Sequence, residues 1–143
     1  MILSKTSEYA IRVATTLALL PQGSAVNSNK LSQLTKISPT YLSKILRQLV
    51  SAKILAAQKG LGGGFIFQKP LQEISLLSVI EAVDFSLDMD HCPFGWEKCN
   101  GASPCPLHKS YSKLKKDFSD WAEKTTLYSI AKQPNNSILS FKR

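Results

Sequence analysis

The chain has 143 residues, enough for one domain or a small domain with an extension, and is 43% apolar, enough to build a real core. It carries 18 Lys and Arg against 10 Asp and Glu, a net charge of +8, which points to polyanions, nucleic acid before membrane. No apolar run approaches the roughly 18 residues of a membrane span and no signal-peptide pattern opens the chain, so a cytoplasmic protein with no membrane partner is expected.

In chain order, Tyr9, Ala10, Val13, Ala14, Leu17 and Leu20 recur at helical spacing, which predicts an amphipathic helix over about 4–20. Pro21-Gln-Gly23-Ser ends it, and Asn29 to Lys36, with Leu31 and Leu34, reads as a short second helix. Ile37-Ser38-Pro39 is then a turn and a helix start, Ser38 suited to capping and Pro39 to the first helical position. Leu42, Ile45, Leu46 and Leu49 make one apolar face of that third helix, while Thr40, Ser43, Lys44 and Arg47 lie off it. Two helices joined by a short turn, the second with a polar and basic outer face, follow the logic of a helix-turn-helix. Ser38, Thr40, Tyr41, Ser43, Lys44 and Arg47 are the residues expected at major-groove edges and phosphates.

Residues 54–59 read as a strand, Gly60-Leu-Gly62-Gly63-Gly64 as a turn, and Phe65-Ile-Phe67 as the returning strand. Such a hairpin forms the wing of a winged helix, with Lys59 near its tip for the DNA backbone. No Gly-Lys-Ser/Thr closes the glycine stretch, so nucleotide binding of the Walker type is not expected, and no enzymatic role is expected of the chain. Ser75 opens a further helix through Val83.

The only cysteines follow, in His91-Cys92-Pro-Phe-Gly-Trp-Glu-Lys98-Cys99 and on to Cys105-Pro-Leu-His108, a Cys-x6-Cys-x5-Cys-x2-His spacing. An odd number of thiols on a Gly/Pro-rich loop argues against a disulfide framework and for ligands or a thiol switch. Thiolates suit zinc, copper(I) or iron–sulfur clusters. A zinc-binding Cys3His RNA-binding protein is one alternative, although its first spacing is usually longer and its His one residue further on. A metal-free thiol sensor is another, with Lys98 and His91 placed to activate a thiolate.

Past the loop, Leu107, Tyr111, Leu114, Phe118 and Trp121 alternate steps of four and three, a heptad-like seam expected to be a dimer interface. Thr125-Thr126 suits the cap of a short helix with Leu127 and Ile130, and a polar tail from Pro134 to Arg143 is expected to be flexible. The expected fold is mainly α with a small β-hairpin wing. Residues 1–84 would form the winged helix-turn-helix DNA-binding domain, 85–106 the cysteine loop, 107–133 the dimerisation helix and a short terminal helix, and 134–143 the tail.

Ser7-Glu8-Tyr9-Ala10-Ile11-Arg12, Ile37-Ser38-Pro39-Thr40-Tyr41-Leu42, Lys59-Gly60-Leu-Gly62-Gly63-Gly64-Phe65, Ile80-Glu-Ala82-Val83, Cys105-Pro-Leu-His108 and Thr125-Thr126-Leu127 together resemble the Rrf2 family of bacterial winged-helix regulators, the group typified by IscR and NsrR. The resemblance covers nearly the whole chain. It implies a homodimer held largely by the helix near 105–124, binding double-stranded operator DNA, most often as a repressor. It also implies an iron–sulfur cluster on Cys92, Cys99 and Cys105 that senses iron–sulfur, redox or nitric oxide status. The fourth ligand is then His108, as in members with a 2Fe–2S site, or Glu8 reaching across the dimer, as in members with a 4Fe–4S cluster. Loss or modification of such a cluster would reorder residues 90–108, which lead straight into the dimer helix.

Overall fold

The computed structural model describes residues 3–84, 92–97 and 100–133. Its elements are α1 (Lys5–Leu19), α2 (Ser28–Thr35), α3 (Pro39–Ser51), β1 (Leu55–Gln58), β2 (Gly64–Phe67), a 3-10 turn (Leu71–Glu73), α4 (Leu76–Val83), α5 (His108–Lys124) and α6 (Leu127–Ala131).

Local chemistry sets most of the helix starts. Ser4, Asn27, Ser38, Ser75 and Thr126 each accept a backbone N–H of the first turn of α1, α2, α3, α4 and α6. Pro39 begins α3, where its missing N–H costs nothing. In α6 the cap is reciprocal, since Ser129 also accepts from the Thr126 amide. Among these α-helices α5 alone starts at a residue, Leu107, that makes no side-chain cap.

One core joins all the helices. Ala10, Val13 and Leu17 of α1 meet Leu31 of α2, Leu42, Ile45, Leu46 and Leu49 of α3, and Leu76, Val79, Ile80 and Val83 of α4. Truncating a fully buried member such as Leu46 to Ala costs about 2–5 kcal/mol. The core does not stop at residue 84. Ala122 near the end of α5 and Leu127 of α6 are fully buried in the same cluster. The Thr125-Thr126-Leu127 segment is stitched to the start of α4: the Leu76 N–H donates to Thr125 O at 2.8 Å, and the Leu127 N–H to Ile74 O at 2.9 Å.

The wing is an antiparallel pair with Leu55 opposite Phe67 and Gln58 opposite Gly64. A third strand position, Val26, bridges Phe65 through Val26 N–H to Phe65 O at 3.0 Å and Phe65 N–H to Val26 O at 2.8 Å. Gly64 makes this close approach possible: its φ is +148°, and a Cβ there would collide with the Val26 carbonyl group. The hairpin is thereby fixed to the connection between α1 and α2. No helix among the described residues is long and apolar enough to cross a membrane.

Candidate nucleic-acid interface and thiol segment

Helix α3 presents Thr40, Ser43, Lys44 and Arg47 to solvent along one face, at the spacing that stacks side chains on successive turns. Its opposite face is the buried Leu42, Ile45, Leu46 and Leu49 row. Ser38 is exposed and engaged as the cap, 3.4 Å from the Tyr41 amide. Tyr41 points elsewhere from the rest of this group. Its hydroxyl shares a hydrogen bond with the Thr6 hydroxyl at 2.5 Å, and its ring meets Tyr9 edge-on at 5.3 Å. Its side chain therefore anchors α3 on α1 before it reads anything.

Arg12 extends the same junction. Its guanidinium lies over the Tyr9 ring at 5.1 Å and donates to Thr35 O, at the end of α2, at 3.2 Å. The Tyr9–Arg12 segment thus sets how α1, α2 and the recognition helix α3 sit together. Lys59 is exposed at the end of β1, at the base of the wing turn.

One basic residue at this surface escaped the sequence reading. Lys36 caps α2 in the left-handed conformation, φ +59° and ψ +31°, and is exposed in the turn that leads into α3. Glycine is the residue that turn would favour on backbone grounds. Its lysine, directly ahead of Ile37-Ser38-Pro39, was the available signal.

In the thiol segment Cys92 is buried and Cys105 half-buried, and both are free thiols. Cys99, with His91 and Lys98, lies outside the described residues, as does the 134–143 tail. Among the described residues no three His, Cys, Asp or Glu side chains converge on one point. The donor chemistry nonetheless suits an iron–sulfur cluster: soft sulfur donors, not tied into a disulfide between the two described thiols, with an imidazole and a carboxylate on flanking elements.

His108 is the first residue of α5, and its N–H donates to Cys105 O at 3.0 Å. With no capping side chain at Leu107, this turn sets where α5 begins. Glu8 lies in the first turn of α1 and pairs with Lys5 at 3.3 Å. Next to it, buried Ser7 donates to Asp84 at 3.3 Å, so that turn of α1 sits beside the end of α4, where the cysteine segment departs.

The five-residue seam is split between solvent and the core of its own chain. Leu107, Leu114 and Trp121 are 44%, 49% and 49% exposed, and Tyr111 is half-buried. Phe118 packs on the core of its own chain, with Ala122 behind it. The outer surface of α5 carries Lys113–Asp117 and Lys116–Asp120 pairs at 2.6 and 2.8 Å. In the second pair the Lys116–Asp120 hydrogen bond holds the Lys116 ammonium above its ordinary pKa and the Asp120 carboxyl below its own. These exposed pairs contribute little to stability.

The sequence profile of the Rrf2 family, described as an iron-dependent transcriptional regulator, matches residues 3–133. The chain belongs to the Rrf2 family. It is 30% identical over 136 residues to the HTH-type protein NMA1593 of Neisseria meningitidis serogroup A, spanning 95% of this chain and 91% of that one. It is 32% identical over 127 residues to the HTH-type transcriptional regulator IscR of Pectobacterium atrosepticum, covering 89% and 77% of the two chains. The fold of this Rrf2 protein is similar to that of oxidised CymR from Staphylococcus aureus, with a TM-score of 0.76 at 18% identity, covering 95% of this chain and 100% of that one. This Rrf2 protein is therefore a DNA-binding transcriptional regulator by family, and its family assignment spans the winged helix and the cysteine segment alike.

Proposed function

We propose that this protein is a homodimeric repressor whose hold on operator DNA is set by an iron–sulfur cluster on Cys92, Cys99 and Cys105. The observation that carries this reading is the turn from Cys105 into α5. The thiol-bearing residue supplies the carbonyl that receives the first amide of the helix, and no capping side chain fixes that start independently. A change at the thiols is thereby a change at the head of the helix whose exposed Leu107, Leu114 and Trp121 offer the dimer seam.

When bound, a cluster supplies a centre that reacts with oxidants and nitric oxide. The rest is done by the chain. Thr40, Ser43, Lys44 and Arg47 face the major groove, and Lys36 and Lys59 take phosphates on either side of them. Ala122 and Leu127 hold the far end of α5 in the core of the winged helix. Movement at the Cys105 end therefore changes how two winged helices are spaced. Affinity shifts by the difference in binding between the two arrangements. The fourth ligand would be His108, at the head of α5, or Glu8 reaching across the dimer from α1.

The three thiols also permit a sensor without metal, in which oxidation of the cysteines alone moves the same turn. Binding of a selected operator duplex, measured on the anaerobic protein before and after removal of iron, separates the two. A change in affinity on iron removal under full reduction supports the cluster. An affinity that responds only to thiol oxidants, whatever the iron content, supports the thiol sensor.

A further inference from the structure

We propose that Leu61, at the apex of the wing, is an apolar wedge that enters the minor groove and unstacks one base step of the bound duplex. The inference deepens the DNA-binding reading above and rests on it.

Leu61 is 108% exposed, whereas the other exposed large apolar residues described reach no more than 58%. Those others lie in the thiol segment or on the α5 seam. Leu61 stands alone, on the element that faces DNA.

The turn itself asks for nothing apolar. The Gly63 N–H donates to Gly60 O at 3.0 Å, and Gly62 has φ +74°, while Leu61 is not among the residues with positive φ. This is a type II turn with Leu61 at its first corner, where Pro or polar residues satisfy the backbone equally well. A leucine there spends its whole side chain on water in the free protein.

The tip is also slim and stiff. With glycine on both sides of Leu61, only the backbone adds girth, which suits a groove about 6 Å wide. The bridge from Phe65 to Val26 fixes the hairpin to the helical body, so little ordering remains to be done on binding. Lys59 is exposed two residues before the apex, where it can hold a phosphate beside the inserted side chain.

Leucine is among the side chains that wedge between base steps, and pyrimidine–purine steps unstack most readily. The wing then reads deformability rather than base edges. Each operator half-site should carry a flexible step under the wing, favoured over a stiff one without a hydrogen bond to either.

The test uses the full chain, purified anaerobically, and duplexes that it selects from a randomised pool. Bend is read by circular permutation, and unstacking by 2-aminopurine placed through the wing-proximal steps. The wild type should kink the duplex by roughly 20° or more and brighten 2-aminopurine at one step per half-site. Leu61→Ala, at a side chain free of packing, should still bind but lose the kink, the brightening and the preference for TA over GG at that step. Leu61→Met should keep all three. A kink and brightening that survive Leu61→Ala, or a wild type that binds its duplex without unstacking it, would overturn the wedge alone. A wild type that selects no duplex removes the DNA-binding reading and the wedge together.

Discussion

The Tyr41 hydroxyl on the recognition helix and the Thr6 hydroxyl on α1 share a hydrogen bond of 2.5 Å. Tyr9 packs edge-on against the same Tyr41 ring, and Lys5 and Arg12 lie over the face of Tyr9. The orientation of α3 is thus set from the first turn of the chain, next to Glu8.

Tyr41→Phe should therefore lower stability by about 1 kcal/mol, the worth of one hydroxyl hydrogen bond, while changing operator affinity little. Denaturant unfolding and a binding titration on the same preparation check this. An affinity loss as large as that of Arg47→Ala, without loss of stability, would make Tyr41 a direct DNA contact instead.

Lys44→Ala and Arg47→Ala should act the other way, leaving the unfolding midpoint near its original value because both side chains are exposed. Each should weaken binding. A lysine or arginine that contacts only phosphate should reduce the slope of log K against log salt by about 1. A weakened affinity with an unchanged slope identifies base contact.

The seam on α5 predicts two kinds of variant. Leu114→Glu should leave a folded monomer, seen by light scattering, that binds a palindromic operator poorly because two recognition helices are needed. Phe118→Ala should cost about 3 kcal/mol of stability, since that ring packs on the core of its own chain. A Leu114→Glu protein that remains dimeric places the interface elsewhere.

Lys36 holds a left-handed backbone that costs a non-glycine residue about 1 kcal/mol. Lys36→Gly should raise the unfolding midpoint and weaken DNA binding. A tighter-binding Lys36→Gly protein would deny this lysine a phosphate.

Much of this architecture is legible in the residues. The Ser38-Pro39 start, the Leu42–Leu49 face and the glycine turn each carry a local rule, and the helices and hairpin lie within a residue or two of their expected ends. What escaped depends on contacts distant in sequence. Val26 is a lone valine without strand periodicity, so its bridge to Phe65 has no local sign. Periodicity marks Leu107 to Trp121 as an apolar stripe but cannot say whether a partner or the chain's own core covers each position. Ala122, too small to weigh in such a pattern, is the fully buried contact of α5. Tyr41 lies in the recognition segment by position, and only the fold shows it turned toward Thr6 and Tyr9.

The most direct measurement is the visible spectrum of anaerobically purified protein, taken with iron and acid-labile sulfide analysis. A cluster on the three cysteines predicts a coloured protein with iron and sulfide in comparable amounts. Cys92→Ala, Cys99→Ala and Cys105→Ala should each abolish the colour while the winged helix stays folded. Of His108→Ala and Glu8→Ala, the one that bleaches the protein names the fourth ligand. A colourless protein holding stoichiometric zinc and no sulfide would contradict the cluster and leave only DNA binding by a winged-helix regulator.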